Sequence, residues 1–242
     1  MRFDVLTLFP EMFAGYLGQS LLAKAIERGL VEVQLHDMRQ WSPDKHRKVD
    51  DRPFGGGPGM VLRVDCVAPA IEAVQALAEP GHLVLLTPQG ARLNQPRVEA
   101  LARHRRVLLL CGRYEGFDER VRLLFEPEEI SLGDFVLNGG EVAAMAVIDA
   151  AIRLAPGVLG DEQSSSDDSF SGPERWLEFA QYTRPREYRG LEVPEILLGG
   201  NHEQIAQWRK EDSRRRTAER RADILGPQTN QSSQEVSERD TP

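Results

Sequence analysis

The chain has 242 residues, a net charge of −8, 40% hydrophobic and 28% charged residues. That length allows one large domain or a domain and a half around a substantial core. The charge balance excludes a uniformly basic nucleic-acid binder and leaves local patches to decide, and no apolar run approaches the roughly 20 residues that span a bilayer. Met1-Arg2-Phe3-Asp4 sets an acid inside the first apolar run and Pro10 ends it, unlike a secretory signal, so a cytoplasmic location is expected. Cys66 and Cys111 stand alone, without CxxC spacing or a neighbouring His pair, so neither a disulfide framework nor a zinc site is expected.

In chain order, Phe3 to Phe9 predicts a strand, Gln19 to Arg28 an amphipathic helix closed by Gly29, and Leu30 to His36 an alternating strand. Trp41 to Met60 is irregular and ends in Arg52-Pro53-Phe54-Gly55-Gly56-Gly57-Pro58-Gly59-Met60, a long glycine-rich loop of the kind used for binding. It lacks the Lys-Ser/Thr of a nucleotide phosphate loop. A helix is expected over Val67 to Leu77, a strand over His82 to Leu86 leading into the loop Thr87-Pro88-Gln89-Gly90, and a helix over Gln95 to His104. Val107 to Leu110 is an unbroken apolar run that suits a strand buried on both faces. Cys111-Gly112-Arg113-Tyr114-Glu115-Gly116 follows it, a short strand is expected at Glu129 to Leu132, and a second glycine loop runs from Gly133 to Gly140 ahead of an apolar helix to Leu154. This alternation specifies an α/β fold with a mainly parallel sheet. Ligands in such sheets sit outside the carboxyl ends of strands, so the loops predict the walls of one pocket. No GxGxxG follows any strand, which disfavours a dinucleotide site.

After Pro156 the composition changes. Gly160 to Pro173 is polar, acidic and serine-rich, the composition of a linker. A last helix is expected from about Glu203 to Ile224, with Arg209, Lys210, Ser213, Arg214, Arg216, Thr217, Arg220 and Arg221 on one side and Glu211, Asp212, Glu219 and Asp223 opposite. Cations beside hydroxyls in one arc suit phosphate contacts. Gly226 to Pro242 lacks apolar periodicity and is expected to be disordered.

The stretches DVLTLFPEMF, RPFGGGPGM, LTPQG, CGRYEGFDERV, SLGDFVLNGGE, PGVLG, DSF, YTRP, VPEILLGGNH and WRKEDSRRRT together resemble the bacterial tRNA (guanine-N1)-methyltransferases, the TrmD family of the SPOUT superfamily, across roughly 1–225. The resemblance implies a deep trefoil knot in the parallel sheet and a small helical C-terminal domain. It divides the chain into a knotted S-adenosyl-L-methionine-binding catalytic domain at 1–159, a flexible linker at 160–173, a helical tRNA-binding domain at 174–225 and a disordered tail at 226–242. It further implies a homodimer whose active sites draw on both subunits, with tRNA as substrate and no membrane partner.

The implied reaction moves a methyl group from S-adenosyl-L-methionine to N1 of the guanine immediately 3′ of the anticodon, preventing translational frameshifting. The family's general base corresponds to Asp168, before Ser169-Phe170, and the cation facing guanine O6 to Arg153. Read alone, Asp168 is a solvated linker acid and Arg153 a charge at a helix C-terminus. Cofactor contacts carry over to Leu85, Leu86, Thr87 and Pro88, to Gly112, Tyr114 and Glu115, and to Leu132, Gly133, Asp134, Phe135, Val136, Leu137, Gly139 and Gly140. Candidates for the RNA backbone are Arg184, Arg186, His202, Arg209, Arg214, Arg216 and Arg220. Magnesium dependence is implied by the family, although the sequence shows no octahedral oxygen cage and no protein metal ligands are assigned. Thr87, Phe135 and Ala143 depart from the family's usual serine, tyrosine and proline, and the helix that normally follows the basic one is largely missing. The competing readings are a SPOUT enzyme acting on a ribose 2′-hydroxyl and a non-enzymatic RNA-binding protein that keeps the knot as a scaffold.

Overall fold

The computed structural model describes residues 1–160 and 167–225. Most of the amino-terminal half of the expected linker and the whole of the expected tail lie outside the described residues. The chain divides into two compact units, Met1–Ser165 and Ser166–Pro242.

The strands of the first unit are β1 (Arg2–Thr7), β2 (Glu32–Asp37), β3 (Asp50–Asp51), β4 (Val61–Leu62), β5 (His82–Arg92), β6 (Arg106–Cys111) and β7 (Glu128–Ser131). Its helices are α1 (Ala14–Leu17), α2 (Ser20–Glu27), α3 (Val64–Gln75), α4 (Gln95–Ala102), α5 (Arg120–Phe125) and α6 (Glu141–Ile152). Five strands form one sheet in the order β2-β1-β6-β5-β7, and every pairing in it is parallel. The α/β reading therefore holds, and the apolar run at 107–110 is the central strand.

Period-two alternation in β6 feeds two cores. Val107, Leu109 and Cys111 pack with Val5, Val84 and Ile130 under α2, α4 and α6, whereas Leu108 and Leu110 pack with Leu6 and Leu85 under α3 and α5. Each fully buried Leu contributes about 1.5–3 kcal/mol relative to exposure. Helix ends follow local chemistry. Gly29, at φ +67°, ends α2 while its N–H bonds the Ile26 carbonyl and the Leu30 N–H bonds the Ala25 carbonyl, the paired bonds of a Schellman cap. Asn94 caps α4 by accepting from the Arg97 N–H at 3.1 Å.

Three expectations change. Helix α3 begins at Val64, a turn before the predicted Val67. Helix α5 was not predicted, because six residues with only Val121 buried carry too little periodicity to read. Strand β5 continues past Leu86 to Arg92, yet the predicted loop survives inside it. Leu86 and Ala91 both pair with Ile130, so residues 87–90 leave the ladder and return to the same partner.

At the opposite end of the sheet, Asp4 is fully buried and accepts from Arg2 at 2.9 Å and Arg106 at 2.8 Å, with His36 Nε2 at 2.7 Å. Burial alone would raise its pKa, but the hydrogen bonds from His36, Arg2 and Arg106 hold the carboxyl well below the usual range. Arg106 spends its other donors on the carbonyls of Gln75 and Glu79, which pins the end of α3 to the sheet.

The second unit holds β8 (Glu187–Tyr188) paired antiparallel with β9 (Leu191–Glu192), and the helix α7 (His202–Arg220). Asn201 caps α7 through the Gln204 N–H. A segment without regular structure crosses the helix, and polar side chains of α7 satisfy its backbone. Thr217 Oγ accepts from the Leu177 N–H at 2.8 Å, Ser213 Oγ donates to the Leu177 carbonyl, and Asp212 accepts from the Ala180 N–H at 2.7 Å.

Candidate functional site

A cavity of about 420 Å³ opens at the carboxyl ends of β5, β6 and β7. The excursion from β5 brings Leu85, Leu86, Thr87 and Pro88 to it, and the loop after β6 brings Gly112, Tyr114 and Glu115. The loop after β7 supplies Leu132, Phe135, Val136, Leu137, Gly139 and Gly140. Gly133 and Asp134 do not line it; Asp134 turns outward to an exposed ion pair with Arg92 at 2.6 Å.

Close backbone approach holds the walls together. The Gly140 N–H bonds the Gly112 carbonyl at 2.9 Å, and a Cβ on Gly140 would stand 2.7 Å from Cys111 Cα. With φ at −75°, this glycine is required by space and not by handedness. Gly140→Ala is therefore expected to push apart two cavity walls, costing about 1–3 kcal/mol of stability by overpacking. A urea titration should show the loss as a lower midpoint in this variant.

The long loop before β4 belongs to the same construction. Its Met60 carbonyl accepts from the Glu115 N–H at 3.0 Å, the Leu62 N–H bonds the Gly116 carbonyl, and a Cβ on Gly59 would overlap the Glu115 carboxylate. Tyr114 is held in the left-handed region at φ +59°, a conformation that costs a non-glycine residue on the order of 1 kcal/mol or more.

Sequence reasoning missed several cavity residues: Gln89, Arg113, Glu119, Arg122 and Asn138. Arg113 and Glu119 stand inside a stretch already singled out for its glycines, so proximity in the chain was the available signal. Arg113 lies 4.6 Å above the Phe9 ring and 3.0 Å from the Glu141 carboxylate. Glu141, fully buried in the first turn of α6, also accepts from Thr7 Oγ at 2.8 Å, and a carboxylate there is favoured by the helix dipole. Burial pushes the Cys111 thiol far up, so it is no nucleophile at neutral pH.

Arg153 caps the far end of α6 and is exposed. At 1.5 Å per residue it lies about 20 Å along the helix from Gly140. Asp168 belongs to the second unit, where it is half-buried and lines a cavity of about 460 Å³ with Trp176, Arg209 and Lys210. Its carbonyl accepts from the Ser171 N–H, Ser169 Oγ accepts from the Glu178 N–H, and the Phe170 N–H bonds the Trp176 carbonyl. These bonds anchor the chain from the aspartate onward.

Among the RNA candidates, Arg184, Arg186 and Arg209 line one further cavity, with Arg209 stacked 4.6 Å over the Phe179 ring. His202, Arg214 and Arg220 are exposed on α7. Arg216 is half-buried, 4.0 Å from buried Asp212. The basic face is thus narrower than the helical wheel predicts. Ser213 and Thr217 serve Leu177 and not a phosphate, and Asp212, placed on the acidic side by the wheel, packs inward.

Among the described residues no group of three or more His, Cys, Asp or Glu side chains is placed to hold a metal ion, and no helix is long and apolar enough to cross a membrane.

The model of the family described as tRNA (Guanine-1)-methyltransferase TrmD matches residues 1–227. A protein of Rhodopirellula baltica named tRNA (guanine-N(1)-)-methyltransferase is 63% identical over 227 residues, covering 93% of this chain and 94% of its own. Relatives of the same name from Citrifermentans bemidjiense and Geobacillus kaustophilus are 53% and 51% identical over 225 residues, each covering 93% of this chain and 90% and 91% of their own. With loops that build a cavity at the strand ends and a match along nearly its whole length, the chain belongs to the tRNA (guanine-1)-methyltransferase family.

Proposed function

We propose that the protein transfers a methyl group from S-adenosyl-L-methionine to N1 of the guanine immediately 3′ of the anticodon, where another guanine precedes it, and so guards against translational frameshifting. The observation that carries this reading is the cavity at the ends of β5, β6 and β7. Its volume of about 420 Å³ falls in the range of small-molecule sites, and its lining joins apolar side chains to close-packed backbone. Those features fit the methyl donor. Leu86, Leu132, Phe135 and Leu137 would cover its apolar surface, main chain at 112–115 and 132–140 would read its adenine edge, and Glu115 would face its ammonium. When bound, the donor supplies an electrophilic methyl on its sulfonium.

The protein's own part is to make N1 nucleophilic. N1 of guanine carries a proton, and Asp168 takes it as general base. As that proton leaves, negative charge spreads to O6, and the Arg153 guanidinium stabilises it there.

The three loops at 87–90, 112–116 and 132–140, tied by the Gly140–Gly112 and Leu93–Ser131 backbone bonds, support a trefoil knot at the carboxyl edge of the sheet. A homodimer accounts for Arg153. Its position about 20 Å from the cavity end of α6 is far from its own cavity, which supports a second copy supplying it. Exposed Phe9, Met12, Leu137 and Val142 beside the cavity offer an apolar patch for that copy. The domain division we infer is 1–159 for catalysis, 160–173 as linker, 174–225 for tRNA and 226–242 as tail, with the linker's last residues hydrogen-bonded into the second unit.

The test is methyl transfer from labelled S-adenosyl-L-methionine to a tRNA with two guanines spanning the end of the anticodon, followed by digestion to nucleosides. N1-methylguanosine is the expected product. A ribose-methylated nucleoside, or binding of both ligands without turnover, would replace this reading with one of its competitors.

A further inference from the structure

We infer that the second unit carries a subsite for one unstacked nucleotide of the RNA, with Tyr182 and Trp208 as its ring walls and Arg184 and Arg186 as its phosphate contacts. The inference rests on the RNA substrate proposed above and names residues that it does not need.

The cavity holds about 450 Å³ and has an apolar floor of Val193, Leu197 and Ile205. Its two aromatic walls stand with ring centroids 6.4 Å apart and planes tilted by 55°, so neither ring is stacked face to face on the other. Tyr182 is 48% exposed. A large aromatic side chain left half in water beside a second ring and above an aliphatic floor is a surface for a flat ligand.

The rim identifies what that ligand carries. Of the three guanidinium groups at this cavity, Arg209 is engaged with the Phe179 ring. Arg184 and Arg186 make no ion pair among the described residues and follow Tyr182 by two and four positions. Two unneutralised guanidinium groups beside rings match an anionic ester attached to a base, since guanidinium pairs with phosphate in a forked geometry while the base stacks. Gln181 and Thr183 also line the cavity and bring polar residues to where a base edge would lie. An apolar peptide side chain would use the floor and leave both cations without purpose.

The test uses the full-length protein and a tRNA with two guanines spanning the end of the anticodon. Tyr182→Ala and Trp208→Ala should each weaken RNA binding on the order of tenfold without changing the slope of log affinity against log salt. Trp208→Phe should keep most of the affinity, which separates loss of a stacking ring from loss of fold. Arg184→Gln should weaken binding and lower the salt slope by about one. In a protein whose Trp41 and Trp176 are changed to Phe, RNA should quench the Trp208 fluorescence, and an abasic replacement at one loop nucleotide should abolish the quench. Wild-type affinity in both ring variants, or the same fluorescence with and without bound RNA, would overturn the subsite while leaving the methyl-transfer reading intact. Saturation by an acidic peptide in place of RNA would also overturn it. Failure of the unaltered protein to bind or methylate the tRNA would remove both.

Discussion

Asp168→Asn should lower the rate of N1-methylguanosine formation by about 10²- to 10⁴-fold, the contribution of a positioned general base, while S-adenosyl-L-methionine binding stays at the wild-type level. The substitution keeps side-chain shape and removes the negative oxygen that receives the proton. Cofactor binding should not respond, because the residues that line the donor cavity all lie in the first unit and Asp168 lies in the second. The measurement is single-turnover methyl transfer with saturating tRNA, which separates chemistry from binding. If the variant turned over at the wild-type rate, Asp168 would be an ordinary surface acid. The backbone bonds that flank it, through the Phe170 and Ser171 main chain and the Ser169 hydroxyl, involve atoms the change leaves in place.

Asp4→Ala is expected to cost about 3–5 kcal/mol, the penalty for breaking a buried ion pair by removing one partner. Against a typical total of about 5–15 kcal/mol, that is enough to shift a urea midpoint strongly. Arg106, whose side chain is only 5% exposed, would be left with carbonyl partners alone, Arg2 would keep only Glu32 at 3.4 Å, and His36 would lose its carboxylate. The direction of the Asp4 shift also sets a pH dependence. Its folded pKa is depressed, so its stabilisation is fully present above the unfolded value of about 3.9 and drains away as pH falls from there toward the folded value. The gap in urea midpoint between wild type and variant should therefore be constant above about pH 4–5 and should close as the pH falls below it. Equal stability at neutral pH would show that the cluster is replaceable.

How much of this was legible in sequence depended on whether the signal was local. Val107 to Leu110 read as a buried parallel strand because a strand covered on both faces needs no polar alternation. The loops after it read as cavity walls because glycine runs follow strands there. Arg113 escaped because its role comes from Phe9 and Glu141, more than a hundred and nearly thirty residues away in the chain. Asp4 was noticed only as an acid unsuited to a secretory signal, since the partners that bury it come from β2 and β6. The wheel for α7 set Asp212 opposite Arg216, although the two side chains come within 4.0 Å, and it had no means of knowing which arc packs, because the covering segment near Leu177 has no periodicity to recognise. The knot and the second copy are implied by resemblance alone, since neither would leave a period in a sequence.

The return of residues 87–90 to the partner they left has an evolutionary side. Leu86 and Ala91 share Ile130, so both ends of the excursion are pinned to one point of the ladder. A slip of the returning flank by one residue would turn Arg92 and Leu93 to the wrong faces of the sheet. Substitution can drift at Thr87, Pro88 and Gln89, whereas Gly90, whose Cβ would stand 2.4 Å from the Ile130 nitrogen, cannot follow. Natural variants of this loop should keep the glycine while its neighbours change.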